Sequence, residues 1–120
     1  RRFVAAGARA FVNMSNDAWS KSLSCQNQHL AMAVFRCTEN RVPAVRSTAS
    51  GQTCIVDRTG KILCEAEPFT ETYLTGMMPA ADDTAGKTLY NKIGDALAIF
   101  FVAAALLMSI VCIVRNRKRK

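Results

Sequence analysis

An uninterrupted apolar run at residues 96–114, followed at once by Arg115, Asn116, Arg117, Lys118, Arg119 and Lys120, limits this chain more than any other feature. Its 19 residues contain no charge, no Pro and no Gly. As a helix rising about 1.5 Å per residue they extend roughly 28 Å, the thickness of a hydrocarbon core. A buried core helix of that length needs more protein around it than the preceding residues can build, so the run predicts a transmembrane helix. Five of the six residues after it are basic. Such a cluster stays on the cytoplasmic side of a span, which puts everything before residue 96 on the opposite face. The whole chain has 16 basic and 9 acidic residues, so the formal net charge of +7 is mostly this tail. Its place beside the membrane favours anionic lipid headgroups as its partner, and no nucleic acid is expected.

With about 25 of 120 residues spent on span and tail, the remainder is one small domain or a piece of a larger one. The opening Arg1, Arg2 and Phe3 show neither an initiator Met nor a signal peptide, yet the soluble portion has to cross the membrane. The expectation is that earlier spans and an N-terminal part of the same protein lie upstream. Five cysteines form no CxxC pair and the single histidine, His29, has no ligand-spaced partner, so no metal site is expected. Cys54 and Cys64 sit symmetrically about a predicted turn, which leaves a disulfide geometrically open. Small buried hydrophobes are the preferred reading of both.

Residues 1–6 read as the end of a helix closed by Gly7. Residues 10–14 (Ala, Phe, Val, Asn, Met) form a short apolar run of the kind found in strands covered on both faces. Helix, glycine and buried strand in succession are an α/β signal. The strand runs into Ser15, Asn16, Asp17, Ala18 and Trp19, the only tryptophan. Ligands of open α/β sheets bind beyond the carboxyl ends of strands, so this cluster is a candidate site; a helix N-cap with a packed Trp is the competing role.

Residues 26–40 place Leu30, Ala33, Val34 and Cys37 at helical spacing, with Arg36 and Glu39 able to pair and Pro43 as the stop. His29, near the start of that helix, fits a hydrogen-bonded structural role. Residues 44–47 and 53–56 read as strands. Asp57 and Gly60 then mark a hairpin turn, with residues 62–64 returning. Residues 72–78 alternate as a last strand before Pro79. Residues 80–91, small and polar, read as a linker.

Nucleophile and base, paired carboxylates and metal ligands are all insecure here. Cys25 and His29 lie one helical turn apart, but a catalytic Cys and His normally come from distant segments. Glu65, Glu67 and Glu71 suit a solvated loop, and no phosphate-binding glycine loop is present.

Taken together, several segments resemble one family. They are residues 11–19, then Gln28, His29, Leu30 and Ala31 with Arg36 and Glu39, then Arg46, Ser47 and Thr48, then Gly51, Thr53, Ile55, Val56, Asp57 and Gly60. With Gly86, Lys87, Thr88, Leu89 and Tyr90 and the closing span, they are similar to the C-terminal part of bacterial apolipoprotein N-acyltransferases, in the nitrilase-like carbon-nitrogen hydrolase superfamily. The resemblance implies an α/β fold: a partial nitrilase-like αββα sandwich followed by one C-terminal transmembrane helix. Residues 1–79 would belong to the domain, 80–92 to a linker, 93–114 to the span and 115–120 to the cytoplasmic tail.

The implied setting is a bacterial inner membrane with the domain on the periplasmic face. The implied reaction moves an acyl chain from a phospholipid donor to the N-terminal amine of a diacylglyceryl-lipoprotein acceptor, through a cysteine thioester and without a cofactor. Its Glu, Lys and Cys triad would lie upstream, so no catalytic residue is expected in this chain and the segment alone is expected to be inactive. Asn16, Asp17 and Trp19 become candidates for lining the substrate site. His29, Arg36, Glu39 and Arg46 become supporting candidates, with a buried ion pair between Arg46 and Glu39 as one option. Ser20 and Lys21 stand where the family usually has an aromatic and Gly, and Val42 interrupts its usual Arg-Pro pair. The competing readings are a membrane-anchored nitrilase-like amidase and a non-enzymatic tail-anchored binding domain. The second would leave its opening strand with an unpaired hydrophobic edge.

Overall fold

A computed structural model describes residues 1–81 and 88–117. Residues 82–87 of the expected linker, Gly86 and Lys87 among them, and residues 118–120 of the basic tail lie outside the described residues. Helix α1 (Arg2–Ala5) ends in Gly7 at φ +100°, the left-handed position expected of it. Strand β1 (Phe11–Asn16) leads to helix α2 (Leu23–Asn40), strand β2 (Ala44–Ala49), strand β3 (Cys54–Val56) and strand β4 (Ile62–Glu65). Helix α3 (Leu89–Ile93) and helix α4 (Ala96–Arg117) complete the chain.

The strands form one mixed sheet in the order β1-β2-β3-β4. β1 and β2 are parallel, Asn13 opposite Arg46 and Ser15 opposite Thr48, with α2 as the crossover; β2, β3 and β4 continue antiparallel. Leu30 and Cys37 of α2 pack on Ala44, Cys54 and Val56, with Phe11, Val34 and Ile62 around them. The periodic apolar residues of α2 are therefore the ones that meet the sheet. Arg41 takes a left-handed conformation at φ 57° and the Val42 amide donates to Cys37 O at 3.2 Å, ending α2 at Asn40, ahead of Pro43.

The hairpin forms as the sequence indicates. Asp57 Oδ1 accepts from the Thr59 amide at 2.7 Å and the Lys61 amide at 2.9 Å, and Gly60 adopts φ 89°. An irregularity between Ile55 and Val56 puts Cys64 opposite Ile55 and Cys54 opposite Glu65. Neighbouring residues of a strand point to opposite faces, so the two thiols are on opposite sides of the sheet and both are free. Cys54 is fully buried, the packed hydrophobe of the preferred reading.

Expectations for residues 72–78, for β1 and for the linker need correction, the last because α3 (Leu89–Ile93) occupies the end of residues 80–92. Residues 72–78 form no strand. A Cβ on Gly76 would lie 2.8 Å from Cys64 Sγ and 2.9 Å from Ile55 Cδ1, so this segment crosses the sheet's face instead of joining its edge. The alternation there matches neither pairing nor burial: Tyr73 and Met77 are exposed, and only Leu74 and Met78 are half-buried. Nor is β1 covered on both faces. It is an edge strand, and Val12 and Met14 are 74% and 81% exposed. Its apolar run is real, but among the described residues only the α2 side of it has a layer.

α3 is docked on the carboxyl end of α2. Thr88 Oγ1 donates to Glu39 O and accepts from the Asn91 amide at 3.0 Å, and Asn91 Nδ2 donates to Asn40 O at 3.4 Å. Gly94, at φ 59° and ψ −133°, then turns the chain into α4. α4 has 22 residues, and its most apolar 18-residue stretch has a mean hydropathy of 3.0 and is not buried, so the helix is long and apolar enough to cross a membrane.

Candidate functional site

The parallel pairing of β1 and β2 brings their carboxyl ends together, and α2, running back antiparallel, starts beside them. Asn13 and Arg46 are register partners, and Asp17 follows directly after β1. Asp17 is the centre of the resulting cluster, 1% exposed. Its Oδ2 accepts from Arg46 Nη2 at 2.8 Å. Its Oδ1 accepts from Ser15 Oγ at 2.9 Å and faces His29 Nδ1 at 3.2 Å. Arg46, itself buried, donates from Nη1 to Asn13 Oδ1 as well, while its Nε has no partner among the described residues.

Burial of Asp17 raises the pKa of its carboxyl. The hydrogen bonds from Ser15 and His29, together with the charges of Arg46 and His29, outweigh that, and the group ends below its ordinary value of 3.8. Asp17 is thus an ionised carboxylate committed to three neighbours. Gly51 leaves it the room: a Cβ there would fall 2.5 Å from Asp17 Oδ2 and 2.9 Å from Thr48 Oγ1.

The other two residues of the strand-end cluster face outwards. Asn16 Oδ1 accepts from the Ala18 amide at 3.0 Å, an Asx turn that shapes the loop. Trp19 is 70% exposed, with its indole 5.8 Å from the His29 ring between centroids and tilted 51°. His29 therefore touches both the buried carboxylate and the exposed indole. A cleft of about 510 Å³ opens beside it, lined by Asn13, His29, Met32, Ala33, Arg36 and Arg46.

Of the remaining candidates, Arg36 lines the cleft with His29 and Arg46, and Glu39 does not. Arg36 Nη2 pairs with Glu39 Oε1 at 3.0 Å, the i,i+3 pair expected on one helix face. Glu39 is thereby near the far end of α2 from the strand-end cluster. The ion pair considered between Arg46 and Glu39 does not form, because the parallel register aims Arg46 at Asn13 and Asp17 instead. Cys25 is partly exposed on α2 and has no recorded bond to His29, whose Nδ1 is directed at Asp17. No grouping of three His, Cys, Asp or Glu suited to a metal occurs among the described residues.

Sequence reasoning missed Gln26. It is fully buried, and its Nε2 donates to Ser20 O at 3.3 Å and Ser50 O at 2.9 Å, tying the loop after β1 to the loop after β2. A signal was available. Gln26 lies on the same helical stripe as Leu30, Ala33 and Cys37, and a polar residue on an apolar stripe has to bond something. Asn13 and Ser15 likewise share the face of Phe11 on β1, where alternation alone did not reveal their charged partners.

Comparison with known proteins matches residues 1–85 to the carbon-nitrogen hydrolase family. The chain is similar to "Apolipoprotein N-acyltransferase 1" of Treponema pallidum, 47% identical over 99% of this chain. It is 36% identical over 98% of its length to the protein of that name in Treponema denticola, and 40% identical over 91% to "Apolipoprotein N-acyltransferase" of Geobacter metallireducens. The chain spans about a fifth of the length of each of these relatives, 21%, 21% and 20%. With a sheet, a crossover helix and a hairpin in the segment that the family matches, this chain belongs to the carbon-nitrogen hydrolase family.

Proposed function

We propose that this chain is the C-terminal segment of a membrane N-acyltransferase that moves an acyl chain from a phospholipid to the N-terminal amine of a diacylglyceryl-cysteine lipoprotein. One observation carries this reading. The family match ends at residue 85, whereas the similarity to the Treponema pallidum protein runs over 119 residues and so takes in α4. Domain and apolar helix are then a single inherited unit, which suits an enzyme whose donor is dissolved in the bilayer. A soluble-amide hydrolase has no use for that helix.

In this reading the apolar part of α4, residues 96–114, spans the inner membrane instead of residues 93–114, the basic tail is cytoplasmic and the sheet lies on the periplasmic side. An upstream Cys, with a Glu as its base and a Lys stabilising the oxyanion, attacks the donor ester, forming the acyl thioester and releasing lysophospholipid; the acceptor amine then attacks the thioester, forming the amide and returning the thiol. None of the five cysteines of this chain is that nucleophile. Asn16 and Trp19, at the carboxyl ends of the parallel strands, contact substrate. Asp17, His29 and Arg46 support them from the sheet side, and Arg36 and Glu39 brace α2.

The test is a reconstituted full-length enzyme given phospholipid labelled in its acyl chain and a diacylglyceryl-cysteine peptide. Label is expected on the peptide amine, and the segment alone is expected to transfer none. Release of ammonia from simple amides without any acyl transfer would favour an anchored amidase instead. An acyl group recovered on Cys25 would overturn the assignment of an upstream nucleophile.

A further inference from the structure

The largest fully buried side chain among the described residues is not apolar: it is Gln26. Its Nε2 donates to Ser20 O at 3.3 Å, in the loop after β1, and to Ser50 O at 2.9 Å, in the loop after β2. Its Oε1 is buried and has no partner among the described residues. Packing alone does not favour an amide that leaves one buried oxygen unpaired, so the tie between the two loops is what this residue supplies.

What the tie holds is strained. Ser50 stands at φ 63°, in the left-handed region that favours glycine, although Gly51 is the glycine beside it. The Ser50 side chain is exposed, so its own packing does not impose that conformation. Further bonds hold the same loop: the Thr48 amide donates to Thr53 Oγ1 at 3.1 Å, and Gln52 Nε2 donates to Asn27 Oδ1, one residue along α2 from Gln26. A backbone outlier kept in place by its surroundings at the carboxyl end of a parallel strand pair is the combination that accompanies function.

Resting on the acyltransferase reading above, we propose that Gln26 is a positioning residue for the transfer reaction. From inside the protein it fixes the loop that carries Trp19 against the strained loop at Ser50, and so sets the backbone geometry of the strand end. Gln26 touches no substrate, because it is fully buried.

Gln26→Met keeps the length and burial of the side chain and removes the donor. In the reconstituted full-length enzyme, with phospholipid donor and a diacylglyceryl-cysteine peptide as acceptor, it is expected to lower kcat/KM about tenfold, the effect of a site displaced by a fraction of an ångström. Lost stability is separated from lost positioning by Ser50→Gly. Glycine takes this φ freely, so the strain goes while the bond to Gln26 is not remade. The double variant is expected to recover the unfolding temperature that Gln26→Met loses, with kcat/KM still about tenfold low. Gln26→Glu keeps the shape and, when protonated, one donor for Ser50 O; its kcat/KM is expected between the two, about threefold below wild type.

Unchanged kcat/KM in Gln26→Met, or in Gln26→Glu where the first does not accumulate, overturns the proposal. So does a double variant whose kcat/KM returns together with its unfolding temperature, the behaviour of a residue that only holds the fold together. A wild-type enzyme that moves no acyl chain refutes the acyltransferase reading, whereas an active wild type indifferent to Gln26 refutes the positioning role alone.

Discussion

Asp17 shows how one side chain organises a strand end. Its folded-state pKa lies below 3.8, so the bonds around it stabilise the fold fully above that value and are lost as pH falls through the lowered one. Asp17→Asn is accordingly expected to flatten the acid limb of the stability curve below about pH 4, measured by denaturant unfolding at a series of pH values. At neutral pH the same change leaves Arg46 buried without its counter-charge, at a cost of about 3 kcal/mol. The thiols divide in a similar way. Burial, with smaller contributions from Cys54 and Asp57, pushes the Cys37 thiol up to about 11, and burial also raises that of Cys54. Alkylation at pH 8 followed by mass spectrometry should therefore mark the partly exposed Cys25 and Cys64 well before Cys37 and Cys54. None of these partnerships was legible in the sequence. Asp17 and Arg46 are 29 residues apart, and only the parallel register of β1 and β2 makes them neighbours.

Elements were easier to read where a local rule decides them. The turn between β3 and β4 needs one carboxylate near its start and one glycine able to take positive φ, and both are written within five residues. Helix α2 announces itself by its apolar stripe, although it begins at Leu23, three residues earlier than that stripe suggests. Residues 72–78 misled because alternation of residue types does not by itself pair a backbone. α3 was not foreseen at all, since its five residues carry too little pattern. Thr88 holds it by donating to Glu39 O and accepting from the Asn91 amide. Thr88→Ala is expected to cost about 1 kcal/mol and to speed hydrogen exchange at the Asn91 amide, while amides in the middle of α2 keep their protection.

For the whole molecule, the decisive division is between a mixed sheet and a helix long and apolar enough to cross a membrane. The apolar run was legible because a bilayer imposes a length on it that no packing detail can disguise. An arginine at Leu106, close to the middle of α4, should disfavour insertion by about 3 kcal/mol, read as a reduced inserted fraction when the segment is presented to a translocon. What joins the two parts is Gly94. Its backbone at φ 59° and ψ −133° is a conformation for glycine, and a Cβ there would lie 2.7 Å from Arg1 Cζ. Were residues 89–117 to run on as one straight rod, it would measure roughly 43 Å, and the sheet would ride at the top of a mast. The corner at Gly94 instead lets α3 lie against the base of the domain while α4 departs in its own direction. A single residue without a side chain thereby sets the angle at which α4 leaves the domain and, if α4 spans a membrane as proposed, the height at which the domain stands above the bilayer surface.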